Sequence, residues 1–217
     1  MGRIKKGILG GFSGKVGTVV GANWKTISYI RSLPQNVKNP RTVGQVRQRT
    51  KLALVVALLR PLLVILRIGW KLYAKRQSAF NACTAYTLAN AIAGTFPNFT
   101  IDYSKIMISR GNLPKVQSPL APSNIGGMLR FSWQDNSGVG NAQATDKLLF
   151  VAINPAKNET VTMYGDAQRS TKELQFAIPR WLGDKVHVYA GFVSEDGKEV
   201  SDSHCITNVS VHNATTG

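Results

Sequence analysis

Apolar and polar residues alternate along this chain in two different rhythms. From Leu129 onward the period is two, the repeat of a strand with one face buried. On that basis Leu129–Trp133, Lys147–Asn154, Val161–Tyr164, Glu173–Ile178, Lys185–Phe192 and Glu199–Val211 read as strands. Turn residues separate them, among them Asp135-Asn-Ser-Gly, Asn154-Pro and Gly165-Asp. Asp196-Gly197 is the strongest hairpin signal of the chain. Short strands at this spacing predict a β-sandwich.

The middle of the chain runs at a helical period. Thr42, with Gln45 three residues on, forms a capping box and predicts a helix to Leu59. Pro61 suits the first turn of a second helix, 61–75. Ser78 caps a third, which runs to Ala93 and is closed by Gly94. Before these helices, Val16–Val20 and Trp24–Ile30 read as strands around a turn at Gly21-Ala22-Asn23. Ile101–Ser109 reads as another strand. Pro114, Pro119 and Pro122, followed by Gly126-Gly127, read as a linker. The predicted fold class is α+β, in two domains. Residues 1–118 form a glycine-rich β-hairpin plus a helical segment, and residues 119–217 an all-β sandwich.

Charge changes this picture from architecture to partners. The 217 residues carry 27 Lys/Arg and 11 Asp/Glu, a net +16. Residues 1–118 hold 19 of the bases and a single acid, Asp102, whereas residues 119–217 hold 8 bases and 10 acids. A segment so poor in carboxylates repels its own copies unless phosphate, an acidic surface or counterions intervene. Solvated helix faces usually alternate Glu with Lys, and none does here before Asp102. The candidate contact residues for nucleic acid or like subunits are Arg31, Lys38, Arg41, Arg47, Arg49, Lys51, Arg67 and Lys71. Arg47 and Lys51 fall one helical turn apart, with Arg49 well round the helix from both. No helix-turn-helix, zinc-finger or ribonucleoprotein signature supports base-specific reading.

Candidate chemistry is sparse. Gly10-Gly-Phe-Ser-Gly-Lys15 is one residue short of a phosphate-binding loop, and Val16 stands where Ser or Thr would bind magnesium. His187 should point to solvent by alternation, and His204 and Cys205 should face opposite sides of a strand, unsuited to a nucleophile–base pair. Asp135, Asp146, Asp166, Asp184 and Asp196 fall in predicted turns, where Asx bonding accounts for them. Cys83 and Cys205 form no disulfide framework or metal spacing. The expectation is a non-enzymatic protein with no cofactor, no catalytic residue and no metal. Leu52–Leu66 is split by Arg60-Pro61 and is short of the roughly 20 residues a membrane span needs, so it reads as a buried helix. The glycine-broken N-terminus is a poor signal peptide.

Two resemblances follow. Trp133 and Tyr189, where such a sandwich has its second and sixth strands, with Gly197 and Ser201 at the turn into the last, resemble a fibronectin type III or immunoglobulin-like sandwich. Gly7-Ile-Leu-Gly-Gly-Phe-Ser-Gly-Lys-Val-Gly-Thr-Val-Val-Gly, Ile30-Arg-Ser-Leu-Pro, Asn39-Pro-Arg-Thr, Gln45, Arg49 and Val193-Ser-Glu-Asp-Gly-Lys-Glu-Val-Ser resemble a domain-of-unknown-function family of Bacteroidota-type bacteria. The Asn-Pro-Arg-Thr segment is also similar to small proteins of tailed-phage and prophage gene sets. Thr50-Lys51 departs from the pattern, where similar sequences often show a small residue and an aromatic. The resemblance supplies no activity. It implies a virion or assembly component, virion-associated or cytoplasmic, with like subunits, other virion proteins or nucleic-acid phosphates as partners. A sequence-non-specific nucleic-acid binder and an exported adhesion module are the rival readings.

Overall fold

The computed structural model describes residues 2–4, 7, 10–24, 27–35, 39–75, 77–124 and 127–211. Contacts divide the chain into two compact units, Met1–Thr42 and Val43–Gly217. The expected division at 118/119 is therefore displaced to 42/43.

In the N-terminal unit, β1 (Arg3–Ile4), β2 (Phe12–Val16), β3 (Val19–Trp24) and β4 (Ile27–Ser32) pair in that order as one antiparallel sheet. This corrects the expected hairpin. β3 runs through Gly21-Ala22-Asn23, and the turn lies instead at Gly17-Thr18, between the paired Val16 and Val19. Gly17 has φ +56°, the left-handed value a two-residue hairpin loop needs at its first central position.

The second unit has three layers. α1 (Val43–Leu59) stops where Pro61 removes an N–H and its ring would crowd the carbonyl of Ala57. After a 3-10 turn, α2 (Leu63–Gly69) is much shorter than the expected 61–75. α3 (Ala79–Asn90) begins as expected, with the Ser78 Oγ accepting from Asn81 N at 3.1 Å. It ends three residues earlier than expected. Ile92–Thr95 (β5) and Asn98–Ile101 (β6) form a hairpin containing Gly94, turning through a cis Phe96–Pro97 bond.

The sandwich is built from β7 (Gln117–Leu120), β8 (Ser123–Asn124), β9 (Met128–Gln134), β10 (Lys147–Asn154), β11 (Glu159–Gln168), β12 (Glu173–Ala177), β13 (Lys185–Val193) and β14 (His204–Ser210). One sheet runs β11-β10-β13-β14. The other runs β12-β9-β7, with β8 also paired to β9. The fold is thus mixed α and β with a C-terminal β-sandwich. The proline-rich stretch read as a linker is its first strand, and Leu113 and Val116 are buried. Ile101–Ser109 forms no strand beyond Ile101, although Ile106 and Ile108 are buried.

β10 and β13 are buried on both faces. Leu148, Phe150, Ala152, Val188, Ala190 and Phe192 fill the sandwich interior. Leu149, Val151, Ile153, Tyr189 and Val193 point the other way, into a second cluster with Leu59, Leu62, Leu66, Trp70 and Cys83. The helices are thus a third layer on the sheet, which is why no boundary opens at 118/119. Taken through the 3-10 turn, Val43–Gly69 is long and apolar enough to cross a membrane by length and composition, and it contributes Val55, Leu58, Leu59, Leu62, Ile65 and Leu66 to this cluster.

The segment after residue 105 lies tightly against the sheet. Leu113 N donates to Val200 O at 3.1 Å, and a Cβ on Gly111 would sit 2.0 Å from that same carbonyl oxygen. Backbone on both sides leaves no flexible group to yield. Gly111→Ala is therefore expected to cost about 1–3 kcal/mol of unfolding free energy, measured by urea titration.

Candidate interaction surfaces

The predicted cations fall on more than one surface. Arg31 lies on β4 and Arg41 beyond it, in the N-terminal unit, and both are exposed. Lys38 lies outside the described residues. Arg47, Arg49 and Lys51 are on α1, and Arg67 is on α2. Lys51 is half-buried, its Nζ 4.9 Å from the centroid of the Phe99 ring. Lys71 donates to Gly197 O at 3.1 Å, a tie to the Asp196-Gly197 turn. Only Arg47 and Lys51 share a helix face; Arg49 sits roughly 200° round from Arg47. Arg60, exposed in the 3-10 turn after α1, was left out of the predicted set although its charge belongs with the others.

Ion pairing does not neutralise this charge. Among the described residues, Lys105 pairs with Asp102 and Lys115 with Asp202, but no ion pair reaches Arg31, Arg41, Arg47, Arg67 or Lys71. Apolar side chains are exposed beside the charges, with Ile27 at 62%, Tyr29 at 44% and Ile30 at 64% on β4 alone. β4 is an edge strand of the N-terminal sheet, so its outer row of backbone donors and acceptors faces away from β3, the kind of edge that templates pairing with another chain.

The acids behave differently from the bases. Asp135 and Asp196 make the expected Asx bonds, to Ser137 N and Lys198 N at 2.9 Å each. Those bonds hold Asp196, and the Ser137 hydroxyl and amide hold Asp135, below the usual carboxylate range. Asp146 makes a local bond of the expected kind, accepting from Gln143 N at 3.0 Å, and a distant one that was not expected. Its Oδ2 receives Arg169 Nε at 3.0 Å in an ion pair with both side chains buried. Arg169 also bonds Asn136 Oδ1 and Pro114 O, and its guanidinium stacks 3.9 Å from the centroid of Phe192. Burial lowers the Arg169 pKa while the Asp146 charge opposes that shift. Nothing in the local sequence joins two loop residues 23 apart, so this pair was not legible.

His187 also departs from expectation. It is buried, stacked on Tyr103 with ring centroids 4.3 Å apart, because Tyr103, in the segment that follows β6, covers the face that alternation assigned to solvent. Burial lowers its pKa below 6.5, and its Nδ1 has no hydrogen-bond partner among the described residues. A histidine that is harder to protonate when folded favours unfolding in acid. Stability should therefore fall as pH drops below about 6.5, and His187→Gln should flatten that part of a stability–pH profile. His212 lies outside the described residues.

A cavity of about 490 Å³ brings together Lys105, Lys115, Asp202, His204 and Cys205. Its lysines are ion-paired, and burial pushes the Cys205 thiol up to about 11. Burial likewise raises Cys83 to about 12, so neither thiol is an activated nucleophile at neutral pH. Among the described residues no group of three His, Cys, Asp or Glu has metal-binding geometry.

The described geometry defines a β-sandwich under a helical layer, joined to a cationic, glycine-rich sheet. Residues 11–207 match the model of the family of unknown function DUF6266, and the chain belongs to that family. Among solved structures it is similar to the fibronectin type III domain of human collagen alpha-1(XX) chain, with a TM-score of 0.37 and 9% identity over 48% of this chain and 90% of that one. A two-domain fibronectin type III segment of chicken tenascin gives a TM-score of 0.33 and 12% identity, covering 45% and 49%. The FN5 domain of Drosophila Lar gives 0.29 and 14%, covering 43% and 94%. No curated protein matches.

Proposed function

We propose that this chain is a non-enzymatic interaction and assembly module, working as a component of a nucleic-acid-containing particle such as a phage or prophage virion. One observation carries the reading: among the described residues, Arg31, Arg41, Arg47, Arg67 and Lys71 are exposed and no ion pair reaches them. Self-association cannot supply the missing charge, because every assembly of identical copies keeps 27 bases to 11 acids per chain. The balancing anion is foreign, and nucleic-acid phosphate is the densest one available in such a particle. Like subunits meet through exposed apolar positions such as Val16 and Ile30 and through the β4 edge, while the sandwich is displayed to a protein partner. The chain acts in the virion or on the cytoplasmic side of its host.

Size-exclusion chromatography with light scattering, at high protein concentration and with or without added nucleic acid, tests this. The expected result is a mass above one chain in at least one condition. A monomer in both overturns the reading.

A further inference from the structure

The N-terminal sheet sorts its side chains onto two unlike faces. Residues opposite one another across an antiparallel ladder share a face, as do residues two apart within a strand. The registers Arg3↔Ser13, Lys15↔Val20 and Val20↔Arg31 therefore place Arg3, Lys15 and Arg31 together on one face. Tyr29 joins them, two residues from Arg31 and directly opposite Ala22. The other face carries Phe12, Gly14, Val16, Val19, Gly21 and Ile30, and no charge among the described residues of these strands.

We propose that the cationic face of this sheet binds single-stranded nucleic acid, with Lys15 and Arg31 holding phosphates and Tyr29 stacking a base. The inference rests on the reading above that phosphate balances the surplus cations. Lys15 and Arg31 stand two strands apart in one cross-strand row, about 10 Å between backbones, with Val20 between them. All three cations are exposed and, among the described residues, none has an ion-pair partner. Tyr29 is 44% exposed, and the small side chain of Ala22 opposite leaves a flank of its ring uncovered. A ring with cations beside it is the platform on which bases stack without sequence preference. A second copy does not fit this face, since it would bring the same three positive charges.

Fluorescence anisotropy of the full chain with labelled oligothymidine, across a salt series, tests the assignment. Lys15→Ala/Arg31→Ala should lower the slope of log affinity against log salt by about 1.4, two phosphates at about 0.7 each. Tyr29→Ala should weaken binding roughly 5- to 150-fold with the slope unchanged. Lys15→Arg/Arg31→Lys should restore the slope, which separates lost charge from lost folding. Unchanged binding in the alanine variants, with loss on Arg47→Ala/Arg67→Ala, overturns this assignment and leaves the phosphate reading standing. Binding of duplex DNA but not oligothymidine by the unmodified chain overturns the assignment alone, and absence of binding to either overturns both. Binding to phosphatidylserine vesicles in place of oligothymidine overturns the assignment in favour of a lipid surface.

Discussion

Asp146→Ala should destabilise the second unit by about 3–5 kcal/mol, the usual result of removing one partner from a buried ion pair. The cost arises from what remains. Arg169 would keep a full positive charge inside the sandwich, over the Phe192 ring, with only Asn136 Oδ1 and Pro114 O to accept from it. The same arginine anchors the loops on either side, since its own carbonyl accepts from Trp133 Nε1 at 2.8 Å. Replacing both partners, as in Asp146→Ala/Arg169→Met, should recover much of the loss, because an apolar side chain carries no desolvation penalty. Urea unfolding of the two single variants and the double variant measures the coupling. A single-variant loss under about 1 kcal/mol would show that the pair does not hold these loops.

Trp70→Ala should cost about 3–5 kcal/mol and should loosen the sandwich along with the helices. Trp70 is buried in the cluster shared by the helical layer and the outer face of β10 and β13, and its Nε1 donates to Met107 O at 3.1 Å. Tyr86 and Tyr73 pack against its ring. Because that cluster includes Leu149, Val151 and Tyr189, the two layers should unfold in one transition. Tryptophan fluorescence and circular dichroism followed together would coincide. Two separated transitions would restore the independent sandwich expected from the sequence.

That expectation failed for a physical reason the sequence partly contained. Lys147–Asn154 and Lys185–Val193 scarcely alternate: Leu-Leu-Phe-Val-Ala-Ile is apolar at every position, the mark of a strand covered on both faces. Reading these runs as half-buried strands sent His187 to solvent and placed the helices with the glycine-rich hairpin, in a domain apart from the sandwich. Where alternation is real, as in β9 with Leu129, Phe131 and Trp133 inward, the strand was legible almost to its ends. Ser78 was legible as a cap because its hydroxyl acts within three residues. The Arg169–Asp146 pair and the packing of Gly111 on Val200 depend on contacts distant in sequence, which no local pattern records. Composition showed the surplus of bases. It did not show that they divide between a sheet face and opposite sides of a helix.

The most direct test of the surplus charge is the affinity of the full chain for unrelated nucleic-acid sequences as salt rises. If six to ten phosphates meet these cations, affinity should fall by roughly a thousand- to a hundred-thousand-fold between about 50 and 200 mM salt, whatever the sequence. An affinity that stays flat across that range, or one confined to a single sequence, would contradict it.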